Sequence, residues 1–270
     1  MPELPEVEHF KHIFSHALKK KITDITCNAP LLLKKITPKK FSDLLIGKSF
    51  SKVVRKGKFL IATLAGSECF VVMHFGMTGW LEYKKQSDFD DTDKRFGQII
   101  FALPSGYALL LLDKRKFAKV YVVHDPNEIK TLKKMGVDAL TISAKDFSAL
   151  LDKKKSRVIK TVLMDQSLIA GIGNEYSNEI LYQAKIDPAR KCGTLTPAEI
   201  KRIYTEMRAI LRKAISFGGS IGNAEKLPPS WLLYHIKTSR DMRCPHNKEH
   251  LLKRKTIGGR SAIYCPIDQK

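Results

Sequence analysis

The stretch Gly171-Ile-Gly-Asn-Glu-Tyr-Ser-Asn-Glu179 is a glycine-rich turn that leads into a helix predicted over residues 176–184. Backbone N–H groups at such a turn, together with the helix N-terminus, favour an anion such as phosphate. A plain helix–turn–helix connector has the same composition, so this alternative stays open. Apolar residues recur at helical spacing on both sides of the stretch, from residue 153 to residue 217. This part of the chain is therefore predicted to be a helical domain.

Downstream of this stretch, the sequence predicts one capped helix and then a hairpin. Thr196, Pro197 and Glu199 match the N-cap, N1 and N3 positions of a capping box, and Gly218-Gly219 is predicted to end that helix. Residues 241–270 are too few to form a core of their own. They are predicted to form a β-hairpin that turns at Gly258-Gly259.

Upstream, strand patterns dominate after a helix predicted over residues 5–18. Short apolar or β-branched runs follow at 51–64, 69–73, 97–103, 108–113 and 117–123, divided by Gly, Pro, Asp and Asn. This spacing is typical of an antiparallel sandwich or barrel. The polar stretch 84–94 is predicted to be a loop, and residues 124–150 a polar connection with a short helical piece.

The charge of the chain points to a polyanion as its partner. In 270 residues, 48 Lys+Arg stand against 27 Asp+Glu, a net charge of +21. Solubility of a small domain needs a net charge of only about 2 to 8, whereas basic residues release counterions from phosphates. Nucleic acid is therefore favoured over an anionic membrane or plain solubility. A hydrophobic content of 43% excludes a disordered polycation.

The N-terminus shows no signal-peptide pattern, and no run reaches the about 18 apolar residues of a membrane span, so a cytoplasmic, nucleoid-associated location is expected. The chain has five cysteines. This odd number, spread thinly along the sequence, argues against a disulfide framework.

Pro2 offers covalent chemistry, because removal of Met1 would leave a secondary amine at the start of the chain. A secondary amine that attacks an aldehyde-level carbon yields an iminium, which keeps its positive charge without a proton and is a strong electron sink. Glu3 and Glu6 stand beside it as acid or base. From these residues alone, the alternative is an ordinary helix start, which proline and acidic residues also suit.

Five segments stand in order along the chain: Met1-Pro-Glu-Leu-Pro-Glu-Val-Glu8, Arg55-Lys-Gly-Lys58, His74-Phe-Gly-Met-Thr-Gly79, the Gly171–Glu179 stretch, and Lys255-Thr-Ile-Gly-Gly-Arg260 with Tyr264-Cys265-Pro266. Together they resemble the motifs of the formamidopyrimidine-DNA glycosylase and endonuclease VIII family. The resemblance implies an α+β fold. An N-terminal catalytic β-sandwich with a leading helix would span residues 1–130, followed by a linker over 131–152. A helix–two-turn–helix domain would span 153–235, and a C-terminal zinc-finger-like β-hairpin 236–270.

The resemblance also implies a mechanism. In such enzymes the N-terminal proline amine attacks C1′ of the damaged nucleotide, the base leaves, and proton loss from an iminium expels the 3′ and usually the 5′ phosphate. Pro2 matches the nucleophile, Glu3 the acid/base of ring opening, and Lys58 a lysine on the phosphate beside the lesion. For Lys58 alone, a solvated lysine at a strand end is the alternative. The implied function is a bifunctional DNA glycosylase and AP lyase of base-excision repair, a monomer without an organic cofactor.

The implied partner is double-stranded DNA that contains oxidised bases or abasic sites, and the damaged base must leave the stack. Met77, Arg115 and Phe117 match the residues that fill the resulting hole, although core packing is the commoner fate of Met and Phe. Met77 in its Gly-Met-Thr-Gly frame resembles the formamidopyrimidine branch, which favours oxidised purines such as 8-oxoguanine and formamidopyrimidines. The family's phosphate contacts would fall, with Lys58, on three further residues, His74, Asn174 and Arg260.

The terminal hairpin departs from the family pattern of four zinc-binding cysteines. Cys244 and Cys265 match the first cysteine of each pair, whereas Asn247 and Asp268 occupy the second positions. A mixed site of Cys244, Cys265 and Asp268 with a histidine, His250 or else His246, is chemically possible. Because two of the four expected ligands are missing, a metal-free hairpin is favoured over zinc.

Residues 220–234 also depart from the family, whose members often carry a longer flexible loop over a flipped 8-oxoguanine. Pro228-Pro229 stiffens this segment, and Trp231 is predicted to pack beneath the hairpin. This departure weakens the inference of 8-oxoguanine and leaves two alternatives: the same chemistry on oxidised pyrimidines, and a non-catalytic binder of damaged DNA. Retention of Met1 would favour the binder, because the nitrogen of Pro2 would then be an amide.

Overall fold

The computed structural model describes residues 1–220, 224–238 and 242–270. It divides into two compact units, one of residues 1–2 with 7–134 and the other of residues 3–6 with 135–270. Each unit has its own hydrophobic core. None of the helices within these described ranges is long and apolar enough to cross a membrane.

The first unit is a β-sandwich preceded by a helix, α1 (Leu4–Ser15). Residues 7–15 of this helix belong to the first unit, and its first turn belongs to the second. Its strands are β1 (Asp24–Cys27), β2 (Leu33–Lys34), β3 (Phe50–Lys56), β4 (Phe59–Leu64), β5 (Phe70–His74), β6 (Gly79–Lys85), β7 (Gly97–Ala102), β8 (Tyr107–Asp113) and β9 (Lys119–Val123). One sheet has the order β2-β9-β5-β4-β3 and the other β1-β7-β8-β6. Alternate residues of both sheets, such as Leu60, Ala62, Leu109 and Leu111, share a single core.

Strand β8 has an unbroken apolar sequence because both of its faces are buried. Leu109 and Leu111 point into the sandwich core, whereas Ala108, Leu110 and Leu112 form a second cluster on the other face. Phe89 and Phe96 cover that second face. Residues 84–94, predicted to be a loop, include the end of β6 and the start of a short helix, α3 (Asp91–Phe96). Helix α2 (Pro38–Leu45) lies earlier in the chain.

The first unit ends with α4 (Lys130–Lys133), and the second unit begins earlier than the sequence suggests. Residues 135–152, placed in the predicted linker, carry β10 (Val137–Asp138) and α5 (Ala144–Asp152). Phe147 and Leu151 of this segment are buried in the helical core. Phe147 and Leu151 are four residues apart, a spacing that indicates a helix, but the polar residues around them favoured a linker.

The second unit is built on helices, namely α6 (Ile159–Met164), α7 (Asn174–Gln183), α8 (Pro197–Ser216) and α9 (Leu232–Thr238), with β11 (Ile169–Ala170) paired to β10. Helix α8 has the predicted capping box, since Thr196 accepts from the Glu199 N–H and the Glu199 side chain accepts from the Thr196 N–H. It buries the stripe Ile203, Met207, Ile210, Leu211 and Ala214. Trp231 packs in this helical core rather than beneath the hairpin.

The C-terminal hairpin joins β12 (Lys253–Ile257) to β13 (Arg260–Tyr264) through the predicted turn at Gly258-Gly259, both of which have positive φ. A small separate cluster supports it, formed by Leu252, Ile263, Cys244 and Cys265 against Tyr182 and Leu232. All five cysteines are free thiols. Residues 221–223, part of the shortened loop considered above, lie outside the described residues.

Candidate functional site

In the first unit, a pocket of about 530 Å³ brings together three of the predicted DNA-contacting residues. His74, Met77 and Phe117 line it, together with Met1. Met77 is 41% exposed and Phe117 48% exposed, which excludes core packing as their role. The Arg115 guanidinium lies 4.7 Å from the centroid of the Phe117 ring, a cation–π contact that orients both side chains.

Asp113, a residue that sequence reasoning missed, holds the loop that carries Arg115 and Phe117. It is fully buried; one carboxylate oxygen accepts from the Ala118 N–H at 2.7 Å, and the other accepts from the Arg115 N–H at 3.1 Å and from the Thr78 hydroxyl at 2.6 Å. The neighbouring turn is equally fixed, because a Cβ at Gly76 would meet the Phe117 backbone at 2.5 Å. A charged residue ending an apolar strand was the available sequence signal.

Lys58 and His74 come close together at one end of the five-stranded sheet. Lys58 precedes Phe59, which pairs with His74 in the β4–β5 ladder, and Lys58 is only 6% exposed. Burial, and then the charges of Lys58 and Lys119, lower the pKa of His74 to about 4. The ring is therefore neutral at pH 7. Because Gly76 N–H donates to Nδ1 at 3.2 Å, the ring proton lies on Nε2, which remains a donor for an anion.

In the second unit, the carboxylate of Glu3 lies at the N-terminus of α7. It accepts hydrogen bonds from the N–H groups of Gly173, Glu175 (2.9 Å) and Tyr176 (3.4 Å), and Glu3 is 1% exposed. Helix α7 has no capping side chain of its own at Gly173. Glu3 therefore supplies the cap from 170 residues away in the chain, and the helix dipole favours its charge.

Glu6 occupies a second set of donors beside Glu3. It accepts from the Tyr176 hydroxyl at 2.9 Å, from the Ser220 N–H at 2.7 Å and from the Glu3 N–H at 2.9 Å. Burial, and then the charge of Glu6, raise the pKa of Tyr176 well above its usual range. A Cβ at Gly219 would lie 2.7 Å from the Glu6 carboxylate. Glu6 is thus held in one position, next to the segment that carries Glu3.

Asn174 begins α7 beside this carboxylate cluster, and its Oδ1 is buried without a hydrogen-bond partner among the described residues. Its backbone carbonyl accepts from Lys160 at 3.4 Å, and the same ammonium donates to Ser177 at 2.9 Å and to Asn178. Lys160 is fully buried; burial lowers its pKa to about 8, against the charge of Glu3, which raises it. Sequence reasoning missed Lys160, although a lysine within an apolar stripe was a visible signal.

Arg260 is exposed at the hairpin turn, where β13 begins. A Cβ at Gly258 of that turn would lie 2.8 Å from Thr161, so the turn packs against α6 next to Lys160. The hairpin turn and the start of α7 therefore both contact α6, through Thr161 and Lys160. The other predicted residue, Pro2, is buried and directly precedes Glu3.

Potential metal donors converge at the base of the hairpin. Cys244 Sγ, Cys265 Sγ and an Asp268 carboxylate oxygen all lie within 4.8 Å of one another. His250 Nδ1 lies 3.2 Å from Asp268 Oδ2 and 3.8 Å from Cys265 Sγ. Donors around a tetrahedral zinc are about 3.3 to 3.8 Å apart, so Cys244, Cys265 and Asp268 form a possible metal site, and His250 lies near two of the three. His246 instead packs its ring against Tyr182, 4.6 Å between centroids.

Two family models match the chain. The formamidopyrimidine-DNA glycosylase N-terminal domain matches residues 1–120, and the formamidopyrimidine-DNA glycosylase H2TH domain matches residues 135–225. The formamidopyrimidine-DNA glycosylase of Listeria monocytogenes serotype 4b is 32% identical over 280 aligned residues that cover 100% of both chains. The chain belongs to the formamidopyrimidine-DNA glycosylase family. The corresponding protein of Pelotomaculum thermopropionicum is 32% identical, and the alignment covers 100% of this chain and 99% of that protein.

Solved structures of Lactococcus lactis Fpg share the fold. A mutant in complex with Fapy-dG-containing DNA and the wild type in complex with oxidised-pyrimidine-containing DNA each superpose with a TM-score of 0.83, 25% identity and complete coverage of both chains. The family resemblance and the α+β fold class predicted from the motifs are thereby confirmed, as is the assignment to the DNA-repair glycosylases. The roles of individual residues remain predictions.

Proposed function

We propose that the protein is a bifunctional DNA glycosylase and AP lyase that binds double-stranded DNA, excises oxidised purines and cleaves the resulting abasic site. The observation that carries this proposal is the setting of residues 2 and 3. Pro2 directly precedes Glu3, whose carboxylate is fixed by three backbone N–H groups and is therefore held in one orientation. A nucleophile adjoining a positioned acid/base group is what amine covalent catalysis needs.

The reaction begins once Met1 is removed. The Pro2 nitrogen attacks C1′, the N–C1′ bond forms, and the glycosidic bond breaks as the base leaves with a proton. Glu3 takes the proton that the Pro2 nitrogen loses and gives it to the sugar ring oxygen O4′, the C1′–O4′ bond breaks, and the iminium forms. Loss of a proton from C2′ expels the 3′ phosphate by β-elimination. Loss of a proton from C4′ then expels the 5′ phosphate by δ-elimination, and hydrolysis of the iminium restores the amine.

The first unit offers the groups that would hold the substrate. Lys58, nearly buried in its turn, supplies a fixed cation for a phosphate beside the lesion, and neutral His74 donates from Nε2. Met77 and Phe117 expose apolar surface for the gap left by the extruded base, with Arg115 aligned along the Phe117 ring. In the second unit, Asn174 and Arg260 would bind further phosphates.

Oxidised purines are the proposed lesions because Met77 stands in the Gly-Met-Thr-Gly frame of the formamidopyrimidine branch. Oxidised pyrimidines are the second candidate. Lactococcus lactis Fpg has been solved with DNA that contains an oxidised pyrimidine as well as with Fapy-dG DNA. A panel of duplexes, each with one lesion, separates the two candidates by the ratio of their single-turnover excision rates.

Borohydride reduction tests the iminium directly. Protein freed of Met1, as verified by intact mass, should become covalently attached to lesion-containing DNA when borohydride is present. Pro2→Gly should reduce this trapping sharply, whereas Pro5→Gly, the same substitution three residues further on, should retain it. Protein without Met1 that binds lesion DNA but is never trapped would contradict the mechanism and favour a non-catalytic binder.

The hairpin is proposed to hold zinc through Cys244, His250, Cys265 and Asp268, although the missing cysteines alone favoured a metal-free hairpin. The convergence of Cys244, Cys265 and Asp268, with His250 near two of them, supports this set, and its chemistry suits zinc. A bound zinc would join the two chain segments on either side of the hairpin. It would thereby stabilise the small cluster that holds Arg260 in place.

Metal content per protein tests this site without reference to activity. One equivalent of zinc is expected in the wild type, and replacement by Co²⁺ should give thiolate-to-metal absorption. His250→Gln and Asp268→Asn should lower the zinc content, whereas His246→Gln should leave it unchanged. Absence of zinc from wild-type protein purified without chelators would overturn this assignment.

A further inference from the structure

A pocket of about 510 Å³ in the first unit contains a concentration of positive charge that the proposed chemistry does not use. Its lining consists of Lys19, Lys21 and Lys48 around the backbone of Gly47, Ser49, Ala65 and Gly66. It contains no acidic residue. Two segments that are distant in sequence therefore bring three lysines to one concave surface, which a third segment, Ala65 and Gly66, completes.

The backbone of the pocket is built from hydrogen-bonded turns. Lys19 N–H donates to Phe50 carbonyl at 2.8 Å, Gly47 N–H to Ile22 carbonyl at 2.8 Å, and Ala65 N–H to Ser49 carbonyl at 2.8 Å. These bonds join the segment after α1 to the segments that precede β3 and follow β4. The pocket is thus a fixed feature of the sandwich, and only the lysine side chains need to order around a ligand.

None of the three pocket lysines forms an ion pair within the described residues, unlike several other lysines of the protein. Lys84, Lys155, Lys237 and Lys255, for example, each form an ion pair with a carboxylate. Within residues 1–220, 224–238 and 242–270, Lys19, Lys21 and Lys48 form none. Neighbouring like charges repel one another unless an anion neutralises them, so the pocket is complementary to a phosphate.

The pocket lies at the opposite end of the sandwich strands from the candidate catalytic lysine. Lys58 immediately precedes β4 and Ala65 immediately follows it, so the six residues of β4 separate the two sites. At about 3.3 Å per residue this separation is about 20 Å. A phosphate in this pocket is therefore not the phosphate beside the lesion.

The adjoining surface also suits nucleic acid. Lys20, between two pocket lysines, turns away to lie 4.7 Å from the Tyr83 ring centroid and 5.4 Å from that of Tyr107. The Tyr83 and Tyr107 rings stack on each other at 5.1 Å, and His16 stacks on Tyr83 at 5.5 Å. Lys20 thus adds positive charge beside the pocket, which favours a polyanion there.

We propose that this pocket, formed by Lys19, Lys21 and Lys48, binds backbone phosphates of a second DNA segment while the candidate catalytic residues engage a first. The proposal rests on the proposed function only in taking DNA as the polyanion. A second contact of this kind allows the protein to pass from one duplex to another through a ternary complex. Part of the positive net charge would then serve the search along DNA for damaged bases rather than the chemical reaction.

Competitor-dependent dissociation tests this proposal. A labelled undamaged duplex is bound to full-length protein, and its release is followed at rising concentrations of an unlabelled duplex. The wild type should dissociate faster as the competitor increases. Lys19→Gln/Lys21→Gln/Lys48→Gln should lose most of that acceleration, because the phosphate contacts to the second duplex are removed. Lys130→Gln/Lys133→Gln/Lys134→Gln, with the same change of charge, is the matched control.

Equal behaviour of the two triple variants would overturn the proposal, because net charge alone would then explain the effect. Inorganic phosphate at low concentration could instead occupy the pocket of the wild type while the pocket variant still transfers between duplexes at the wild-type rate. That result would also overturn the proposal and indicate a small-anion site. Borohydride trapping on a short lesion-containing duplex separates this proposal from the proposed function. The pocket variant should be trapped like the wild type, since its substitutions lie about 20 Å from Lys58.

Discussion

Two regions use buried carboxylates in opposite ways. In the first unit, Asp113 is buried and binds the backbone of the loop that exposes Arg115 and Phe117. In the second unit, Glu3 is itself the candidate acid/base, and backbone N–H groups of α7 bind it. The same charge-assisted bond orients a loop in one region and a reactive group in the other. Loss of the carboxylate should therefore affect stability in both regions, and chemistry as well in the second.

The largest effect is expected for Glu3→Gln. The substitution preserves size but removes the proton donor and places an amide against backbone N–H groups. Cleavage of an abasic-site duplex under single-turnover conditions should slow by at least about 100-fold, the usual contribution of general acid–base catalysis. Glu8→Gln, the same change five residues further on, in α1, is the control and should retain the rate. A Glu3→Gln protein with the wild-type rate would remove Glu3 from the mechanism.

Asp113→Asn should destabilise the protein by about 2 to 3 kcal/mol, because the new amide group faces backbone donors that the carboxylate satisfied. Urea denaturation measures the change. Asp24→Asn, at an exposed position, should change the free energy of unfolding little. A stable Asp113→Asn protein with normal lesion binding would contradict the view that this carboxylate orients the loop.

Phe117→Ala and Met77→Ala should each weaken binding to lesion-containing duplex about 10-fold, the scale of one lost base–side-chain contact. Both side chains are exposed, so the free energy of unfolding should change by less than about 0.5 kcal/mol. Fluorescence anisotropy with lesion and undamaged duplexes measures the binding. Leu251→Ala, at an even more exposed apolar residue of the second unit, is the control. Equal losses on both duplexes would contradict a role in filling the gap.

A pH-dependent effect is expected at His74, whose pKa is lowered from 6.5 to about 4. Between these values the unfolded chain binds a proton that the native protein does not. The free energy of unfolding should therefore fall as the pH decreases from about 6.5 towards 4, and rise again as the pH increases. Urea denaturation at several pH values should show a weaker dependence in His74→Gln than in the wild type. His12→Gln, at an exposed histidine, should keep the wild-type dependence.

The fold was largely predictable where local signals were strong. The capping box of α8, the hairpin turn at Gly258-Gly259 and the apolar runs of β5, β7 and β8 each depend on neighbouring residues. Strands β1 and β6 and helix α3 were missed, because their apolar residues pack on distant elements rather than forming a clear local pattern. Phe89 and Phe96, within or beside a polar stretch, are examples: only the outer face of β8 explains them.

The candidate site was predictable as a set of motifs but not as a set of interactions. The Gly171–Glu179 stretch indicated an anion at a helix N-terminus, and the structure supplies a carboxylate, that of Glu3, from the other end of the chain. Lys160 and Asp113 were missed because their importance lies in burial and in backbone partners far away in sequence.

The sequence by itself determined the family, the order of the elements and the residue types that carry chemistry, because these depend on composition and local spacing. Only the tertiary structure decided which groups share an environment: Lys58 with His74, Asn174 with Lys160, and the four donors at the base of the hairpin. It also brought Lys19, Lys21 and Lys48 into one pocket. Hydrogen bonds and charge interactions act over a few ångströms in space, so sequence separation does not reveal them.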